Sequence, residues 1–476
     1  MVEDIKDLFL LYAKEPALEV VPIAVHGSNR SYYRVVGKNH RCLAAVNADI
    51  RENEAFISLG YFFHAKGLNV PEIFAVNEGK NIYLVEDLGD TTLYEFVSSK
   101  EKAIRFDSET VGIYKSVLKH LLGFQLAGKD NLDYTVCYPR HAFDEQSMRW
   151  DLNYFKYYFL KLSQTEFDEQ LLENDFDKLI GKLTKTESDF FLYRDFQSRN
   201  IMLSPKGIYF IDFQGGRKGA LQYDAASLLF DAKAEIPQKL REELLDYYIG
   251  ELSEVQSVDA DEFKSTFYCF VLIRIMQAMG AYGFRGFYEG KSHFLKSIPP
   301  ALENIRLLLD NNFLPEELGY LKQILTKITQ SERLKKLVPQ EIPSTKLTVQ
   351  IFSFSYKKGY PIDVSGNGGG YVFDCRALPN PGRFLEYKTL TGRDIPVIEF
   401  LEKEEHVDTF VKNAFALVEQ SVRVYTERSF THLQVAFGCT GGQHRSVYCA
   451  EKMKSLLTQN FDCNVQIIHR EQSFEN

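Results

Sequence analysis

The chain has 476 residues, 45% hydrophobic and 14% aromatic, with a formal net charge of −9. That length predicts two or three domains with folded cores. The acidic balance removes any global electrostatic case for nucleic acid or anionic membrane, and seven scattered cysteines with no Cys-x-x-Cys pair suit reduced thiols better than disulfides or a zinc site.

Residues 1–7 carry acid where a signal peptide would carry base, and no uninterrupted apolar run is long enough to span a bilayer. A cytoplasmic protein with no membrane partner is therefore expected. An amphipathic helix on Ile5, Leu8, Leu10, Leu11 and Tyr12 leads into strand-like runs, between which lie Gly27, Ser28, Asn29, Arg30 and Ser31. A small-residue turn between two strands can lay backbone N–H groups over nucleotide phosphates; a plain hairpin turn is the other reading. A helix over 53–66 closes at Gly67. A strand over 70–76, a turn at 78–80 and a strand over 82–86 follow, ending in Glu86, Asp87, Leu88 and Gly89. In a kinase-like small lobe this strand end, marked by Glu86 and Leu88, presents backbone groups to adenine. Beyond Asp90 the pattern turns helical, through 116–125 and 148–155.

Tyr193, Arg194, Asp195, Phe196, Gln197, Ser198, Arg199 and Asn200, then Ile211, Asp212, Phe213 and Gln214, form the most informative segment. An Asp followed five residues later by Asn, and by a second Asp after an apolar hairpin, is how kinase-fold enzymes supply a base and two metal ligands. The apolar runs 201–204 and 208–211 flank a turn at Pro205, Lys206 and Gly207. Asn200 and Asp212 are equidistant from Lys206, which places them face to face across the hairpin. An amide oxygen and a carboxylate so placed suit Mg²⁺, and Asp195 is placed to take a proton from a substrate hydroxyl. A surface hairpin with polar ends is the plain alternative. Farther on, Asp224 at a helix start is most simply an N-cap, with bracing of the catalytic loop a second role. Arg217 is placed to meet a phosphate or anionic sugar substituent if it is not simply solvated.

These motifs, with the 27–34, 86–90 and 223–228 segments, resemble the aminoglycoside phosphotransferase/choline kinase family. Within it they are most similar to the AmgK-like N-acetylmuramate/N-acetylglucosamine anomeric kinases of cell wall recycling. The resemblance implies an ATP- and Mg²⁺-dependent phosphotransferase acting on a hydroxyl group. It assigns catalysis to Asp195, with Arg194 beside it, metal binding to Asn200 and Asp212, and nucleotide binding to Gly27, Ser28, Asn29, Arg30, Ser31, Glu86 and Leu88. The run 43–49 lacks the lysine that kinases place on their third strand. Arg30, Arg34 and Arg51 stand as candidates to replace it.

Charge and two prolines at 331–345 mark a linker. Strand-like runs follow at 347–355, 371–375 and 432–437, with a helix over 405–426 and another starting at Val447, an α/β pattern with a largely parallel sheet. The third run enters Gly438, Cys439, Thr440, Gly441, Gly442, Gln443, His444, Arg445 and Ser446. A glycine-rich turn from strand to helix favours an anion, and His444, Arg445 and Arg376 would strengthen it. Cys439 and Arg445 have the Cys-x5-Arg spacing of protein-tyrosine-phosphatase loops, though no general-acid Asp loop is evident. The runs 373–376, 378–381, 390–392 and 438–446, with His469 and Arg470, resemble the C-terminal domain of the RNase adapter family RapZ. That resemblance implies a sugar-phosphate effector at Arg376, Thr440, Gly441, His444 and Arg445, with Cys439 and Gly442 in the same candidate anion site. No Walker-type domain precedes this one, and acidic side chains slightly outnumber basic ones from 347 onward. A metabolite-sensing module is therefore favoured over an RNA adapter.

The expectation is a protein-kinase-like bilobal α+β fold over 1–330, with a small lobe to about 90, a linker over 331–346 and a separate α/β domain over 347–476. Its function would be phosphorylation of a sugar, at the anomeric hydroxyl of an N-acetylated amino sugar. Choline, an aminoglycoside or another sugar as substrate, or an RNA- or protein-binding adapter role, are the alternatives. Oligomerisation stays open.

Overall fold

Five short strands pair into one antiparallel sheet near the start of the chain: β1 (Glu19–Ile23), β2 (Ser31–Val36), β3 (Arg41–Val46), β4 (Ile73–Val76) and β5 (Ile82–Glu86), in the order β1-β2-β3-β5-β4. The computed structural model describes residues 1–23, 30–129, 131–335, 346–361, 363 and 369–472. Gly27, Ser28, Asn29 and most of the expected linker lie outside them. The chain divides into two units, residues 1–281 with 297–335, and residues 282–296 with 336–476. The stretch 282–296 thus groups with the second unit, whereas the sequence pattern places it in the first domain.

Both faces of the first sheet are covered, each by a helix the sequence encodes. The first helix, α1 (Val2–Ala13), buries Ile5, Leu8 and Phe9 against Val35, Cys42, Ala44 and Leu84, each such side chain being worth about 1.5–3 kcal/mol. The second, α2 (Ile50–Ala65), begins three residues earlier than expected. Its N-cap is Asp49, whose carboxylate accepts from the Arg51 and Glu52 N–H groups, worth about 1 kcal/mol. It ends before Gly67, whose φ of +73° is the left-handed exit that glycine provides at least cost.

Phenylalanines link α2 to the larger part of this unit. Phe56 stacks on Tyr83 at 5.0 Å and on Phe213 at 4.8 Å. Phe63 meets Phe124 at 5.0 Å and Phe191 at 4.8 Å, edge to face. Such pairs add about 0.5–1.5 kcal/mol beyond their burial, so the aromatic content builds the core between sheet and helices. The larger part carries α3 (Leu93–Ser99), α4 (Ser108–Lys129), α5 (Glu145–Tyr154) and α6 (Glu169–Leu183). Next come β6 (Phe190–Leu192), the hairpin β7 (Ile201–Ser204) and β8 (Gly207–Phe210), and β9 (Arg217–Gly219), which pairs with β6. Three helices follow: α7 (Gln222–Leu229), α8 (Gln238–Ser253) and α9 (Ala260–Gly283). The helical run from Ala260 to Tyr288 has the length and composition of a membrane span, although Arg274 interrupts its apolar stretch. However, 67% of its most apolar window is buried within the protein, as in a core helix.

In the second unit β10 (Thr348–Ser355), β11 (Gly370–Asp374), β12 (His432–Cys439) and β13 (Asn464–His469) form a wholly parallel sheet in the order β11-β12-β10-β13. The central strands bury Val349, Ile351 and Val435 with Val418 and Met453 of the helices Glu405–Glu427 and Arg445–Asn460. The edge strand β13 escaped the sequence reading because it is only half-buried and polar at Asn464, Gln466 and His469. All seven cysteines are free thiols, as the scattered spacing implied.

At Gly128, α4 lies close against β6: a Cβ there would stand 2.3 Å from Phe191 Cβ and 3.0 Å from its backbone nitrogen. Gly128→Ala is therefore expected to destabilise the first unit by about 1–3 kcal/mol, the usual cost of overpacking, read as a lowered urea midpoint.

Candidate active site

The hairpin β7–β8 pairs Ile201 with Phe210 and Ser204 with Gly207, leaving a two-residue turn at Pro205 and Lys206. The register is thus centred between these residues, one position away from the sequence-based expectation. Asn200 lies opposite Ile211, whose N–H donates to the Asn200 carbonyl at 3.0 Å. What brings Asp212 back to Asn200 is its backbone, left-handed with φ +69°. Asn200 Nδ2 then donates to Asp212 Oδ2 at 3.1 Å and to the Asp195 carbonyl at 2.9 Å. The pair meets as expected, but through a strained residue rather than through cross-strand opposition.

Asp224 anchors the strand that leads into Asp195. It is fully buried at the third position of α7, so the N-cap expectation is corrected. Its two carboxylate oxygens accept the N–H groups of Tyr193 at 2.6 Å and Arg194 at 3.0 Å. Burial raises its pKa to about 7, against the pull of those two N–H donors. Arg194 has φ +82°, a conformation costing about 1–3 kcal/mol that persists because its surroundings over-determine it. Its guanidinium forks onto Asp151 of α5 at 2.6 and 2.8 Å, donates to Tyr223 Oη at 2.7 Å, and lies against the Phe143 and Tyr223 rings. It points into the protein, and its contacts position the loop. Arg217 is buried rather than solvated, donates to the Gly215 carbonyl, and has its pKa lowered to about 10 by burial beside Arg194.

Asp195 is the accessible member of the group: its side chain is 42% exposed, 3.8 Å from Arg274 Nη2 of α9. Asp212 is more enclosed, and burial with the nearby Asp195 charge raises its pKa above the usual carboxylate range. Gln214 Nε2 donates to Asp212 Oδ1 at 2.7 Å and reaches Glu52 Oε1 at 3.4 Å. Glu52, in the first turn of α2, also accepts from Asn47 at 2.8 Å and faces Arg30 Nη2 at 3.2 Å. The sequence reading passed over Glu52, Asp151 and Arg274. A carboxylate three residues after the Asp49 cap was the available signal for the first; Asp151 and Arg274 sit in helices with no local mark.

At the end of β5, Glu86 pairs with Lys206 of the hairpin turn and Leu88 is buried. Arg34 is spent on Asp87 at 2.8 Å and Asp90 at 2.7 Å, and Arg51 lies over the Tyr138 ring at 5.1 Å. The donor set at Asn200 and Asp212 fits a hard cation. Both N–H bonds of the Asn200 amide are engaged, which leaves Oδ1 as a ligand atom beside the Asp212 carboxylate. Among the described residues no group of three or more His, Cys, Asp or Glu could hold a metal. This pair therefore suits an ion that completes its shell from phosphate oxygens and water.

In the second unit the 438–446 loop closes on its own cysteine. Cys439 Sγ accepts from the Gly442 N–H at 3.1 Å and lies 3.1 Å from Ser446 Oγ. Burial would push this thiol up, but hydrogen bonds from Ser446 and the Gly442 and Gly441 N–H groups bring its pKa below the ordinary value. Arg445 is buried and donates to the Arg376 and Leu378 carbonyls at 2.7 and 3.0 Å; His444 Nε2 meets the Tyr387 carbonyl at 2.8 Å. Both side chains fix the loop's shape through these backbone carbonyls. Thr440 and Gly441 are exposed, and Arg376 lies over the Tyr356 ring at 4.1 Å while paired with Asp374.

The family model described as "Phosphotransferase enzyme family" matches residues 19–258, and that described as "RapZ C-terminal domain" matches residues 347–473. The first covers half of the chain, and the chain belongs to the phosphotransferase enzyme family. Both resemblances drawn from the motifs are borne out, as is the enzyme class at the level of the family. The chain is 38% identical over 128 residues to a nucleotide-binding protein of Acinetobacter baylyi, spanning 27% of this chain and 43% of that one. It is 40% identical over 138 residues to a nucleotide-binding protein of Cupriavidus taiwanensis, spanning 29% and 44%. The chain thus spans less than half the length of these relatives. Among solved structures it is similar to an ethanolamine kinase of Plasmodium vivax, at TM-score 0.46 and 14% identity, over 62% of this chain and 84% of that one. A choline kinase of Cryptosporidium parvum scores 0.46 at 15% identity, over 67% and 100%.

The Asp224 carboxyl binds its proton in the fold up to about pH 7 and in the unfolded chain only to about 3.9. Its proton-linked stabilisation is full below the unfolded value and is lost as pH rises through 7, by up to about 1.4 kcal/mol per unit. Asp224→Asn lacks this titration, so the stability gap between wild type and variant should narrow from pH 4 to 7.5 in urea unfolding.

Proposed function

We propose that the first unit transfers the γ-phosphoryl group of ATP to the anomeric hydroxyl of an N-acetylated amino sugar. The observation that carries the phosphotransfer reading is the convergence of Asp195, Asn200 and Asp212, with only Asp195 substantially open to solvent. Asp195 accepts the hydroxyl proton. The substrate oxygen bonds to the γ-phosphorus as the bond to the β–γ bridging oxygen breaks, and ADP leaves. Asn200 Oδ1 and the Asp212 carboxylate would hold Mg²⁺, which when bound neutralises charge on the phosphates. Asp224 and Arg194 keep Asp195 at the end of a rigid loop, and Glu86 to Leu88 mark the edge where adenine would pair with backbone groups. The amino-sugar substrate rests on the motif resemblance, and Arg274 beside Asp195 favours an acceptor that carries negative charge. In this reading the RapZ-like domain binds a sugar phosphate over Thr440 and Gly441 near Arg376, and the protein works in the cytoplasm.

The test is ADP release with Mg²⁺-ATP across amino sugars, other sugars, choline and aminoglycosides. Sugar-dependent turnover is expected, and Asp195→Asn should lower it about 10²–10⁴-fold, the usual contribution of a general base. Turnover on choline or an aminoglycoside alone would move the substrate class; silence across the panel in wild type would remove the kinase. In parallel, Cys439→Ser should leave hydrolysis of an aryl phosphate at background, since Arg445 Nη1 is bonded to the carbonyls of Arg376 and Leu378.

A further inference from the structure

The third strand offers no lysine, yet the place where one would act is occupied. On β3, Ala45 is fully buried and stands opposite Tyr32 of β2 and Tyr83 of β5. A lysine stem at that position would run toward α2; alanine leaves that volume to a neighbour. Arg30, just before β2 and two residues from Tyr32, projects to the same face because strand side chains alternate. Its Nη1 meets Tyr32 Oη at 3.3 Å, and its guanidinium lies over the Phe56 ring at 5.7 Å. Its Nη2 stands 3.2 Å from Glu52 of α2, with the arginine side chain 2% exposed. Kinases use a strand-to-helix cation–carboxylate pair of this kind to hold the nucleotide phosphates. Here Glu52 is further tied through Gln214 to Asp212, so an ion pair and two hydrogen bonds join the cation to the candidate metal ligand. The other two candidates are committed elsewhere, Arg34 to Asp87 and Asp90 and Arg51 to the Tyr138 ring.

We infer that Arg30 is the phosphate-holding cation of this enzyme, contacting the α- and β-phosphates while paired with Glu52, in place of a third-strand lysine. The inference rests on the phosphotransferase reading. A guanidinium carries five donors in a planar fork, so one arginine can serve a carboxylate and a phosphate together. A lysine would meet them as a point charge.

The experiment is calorimetric titration of the full-length protein with Mg²⁺-ADP and with adenosine. Arg30→Gln should weaken Mg²⁺-ADP at least tenfold and leave adenosine affinity unchanged, and Arg30→Lys should restore much of the loss. In turnover, KM for ATP should rise more than kcat falls. Because Arg30→Gln strands a carboxylate, the double variant Arg30→Met/Glu52→Gln, which leaves no unpaired charge, is measured alongside and should show the same selective loss. Wild-type Mg²⁺-ADP affinity in either folded variant overturns the inference, as does an equal loss of ADP and adenosine, which marks a structural role. If wild type binds adenosine but not Mg²⁺-ADP, the phosphotransferase reading falls and takes this inference with it.

Discussion

Everything at the candidate centre hangs from one buried carboxylate. Asp224 takes the N–H groups of Tyr193 and Arg194 in both of its oxygens, and this sets the direction in which the chain leaves β6. Arg194 can then hold a left-handed backbone because three groups keep it there: Asp224 at its nitrogen, and Asp151 and Tyr223 at its side chain. Breaking a buried pair such as Arg194–Asp151 by removing one partner costs about 3–5 kcal/mol. That is more than the strain it restrains. Asp195 is held through its carbonyl by Asn200, and Asn200 meets Asp212, so order passes from α7 through the loop to the hairpin without using Asp195's carboxylate. The one group left open is the one the chemistry would consume.

How far the primary structure revealed this arrangement depended on whether the information was local. Strand, turn and helix patterns located strand runs of the first sheet, the hairpin and three of the four parallel strands, because alternation and glycine punctuation act over a few residues. The hairpin register slipped by one because Pro205 and Lys206 form the turn without Gly207, and spacing alone does not separate those two turns. Asp224 read as a cap because an Asp near a helix start usually is one; its burial against a strand about thirty residues earlier leaves no local trace. Arg217 read as solvated for the same reason. The pairing of Arg30 with Glu52 crosses from a strand to a helix, which is why three arginines looked equivalent on paper and only one sits in the core.

In the second unit, charge has been spent on geometry. Arg445 and His444, the residues that made the glycine-rich loop look like an anion trap, hold backbone carbonyls of the 376–387 segment. The loop's own N–H groups converge on the Cys439 sulfur. A ligand arriving at this edge would meet Thr440, Gly441 and Arg376 rather than the buried Arg445 and His444. The loop can therefore keep one shape whether or not a ligand is present, as a recognition surface requires when its rigidity is prepaid.

The helix that carries Asp151 also carries the chain's single tryptophan, one residue away. Trp150 is 47% exposed, with the Arg140 guanidinium 5.3 Å from its ring centre. Its indole is the sole long-wavelength emitter in a molecule otherwise bright only with tyrosine and phenylalanine. The protein therefore carries a native optical probe on the helix that secures Arg194, with no indole in the second unit to confuse the signal.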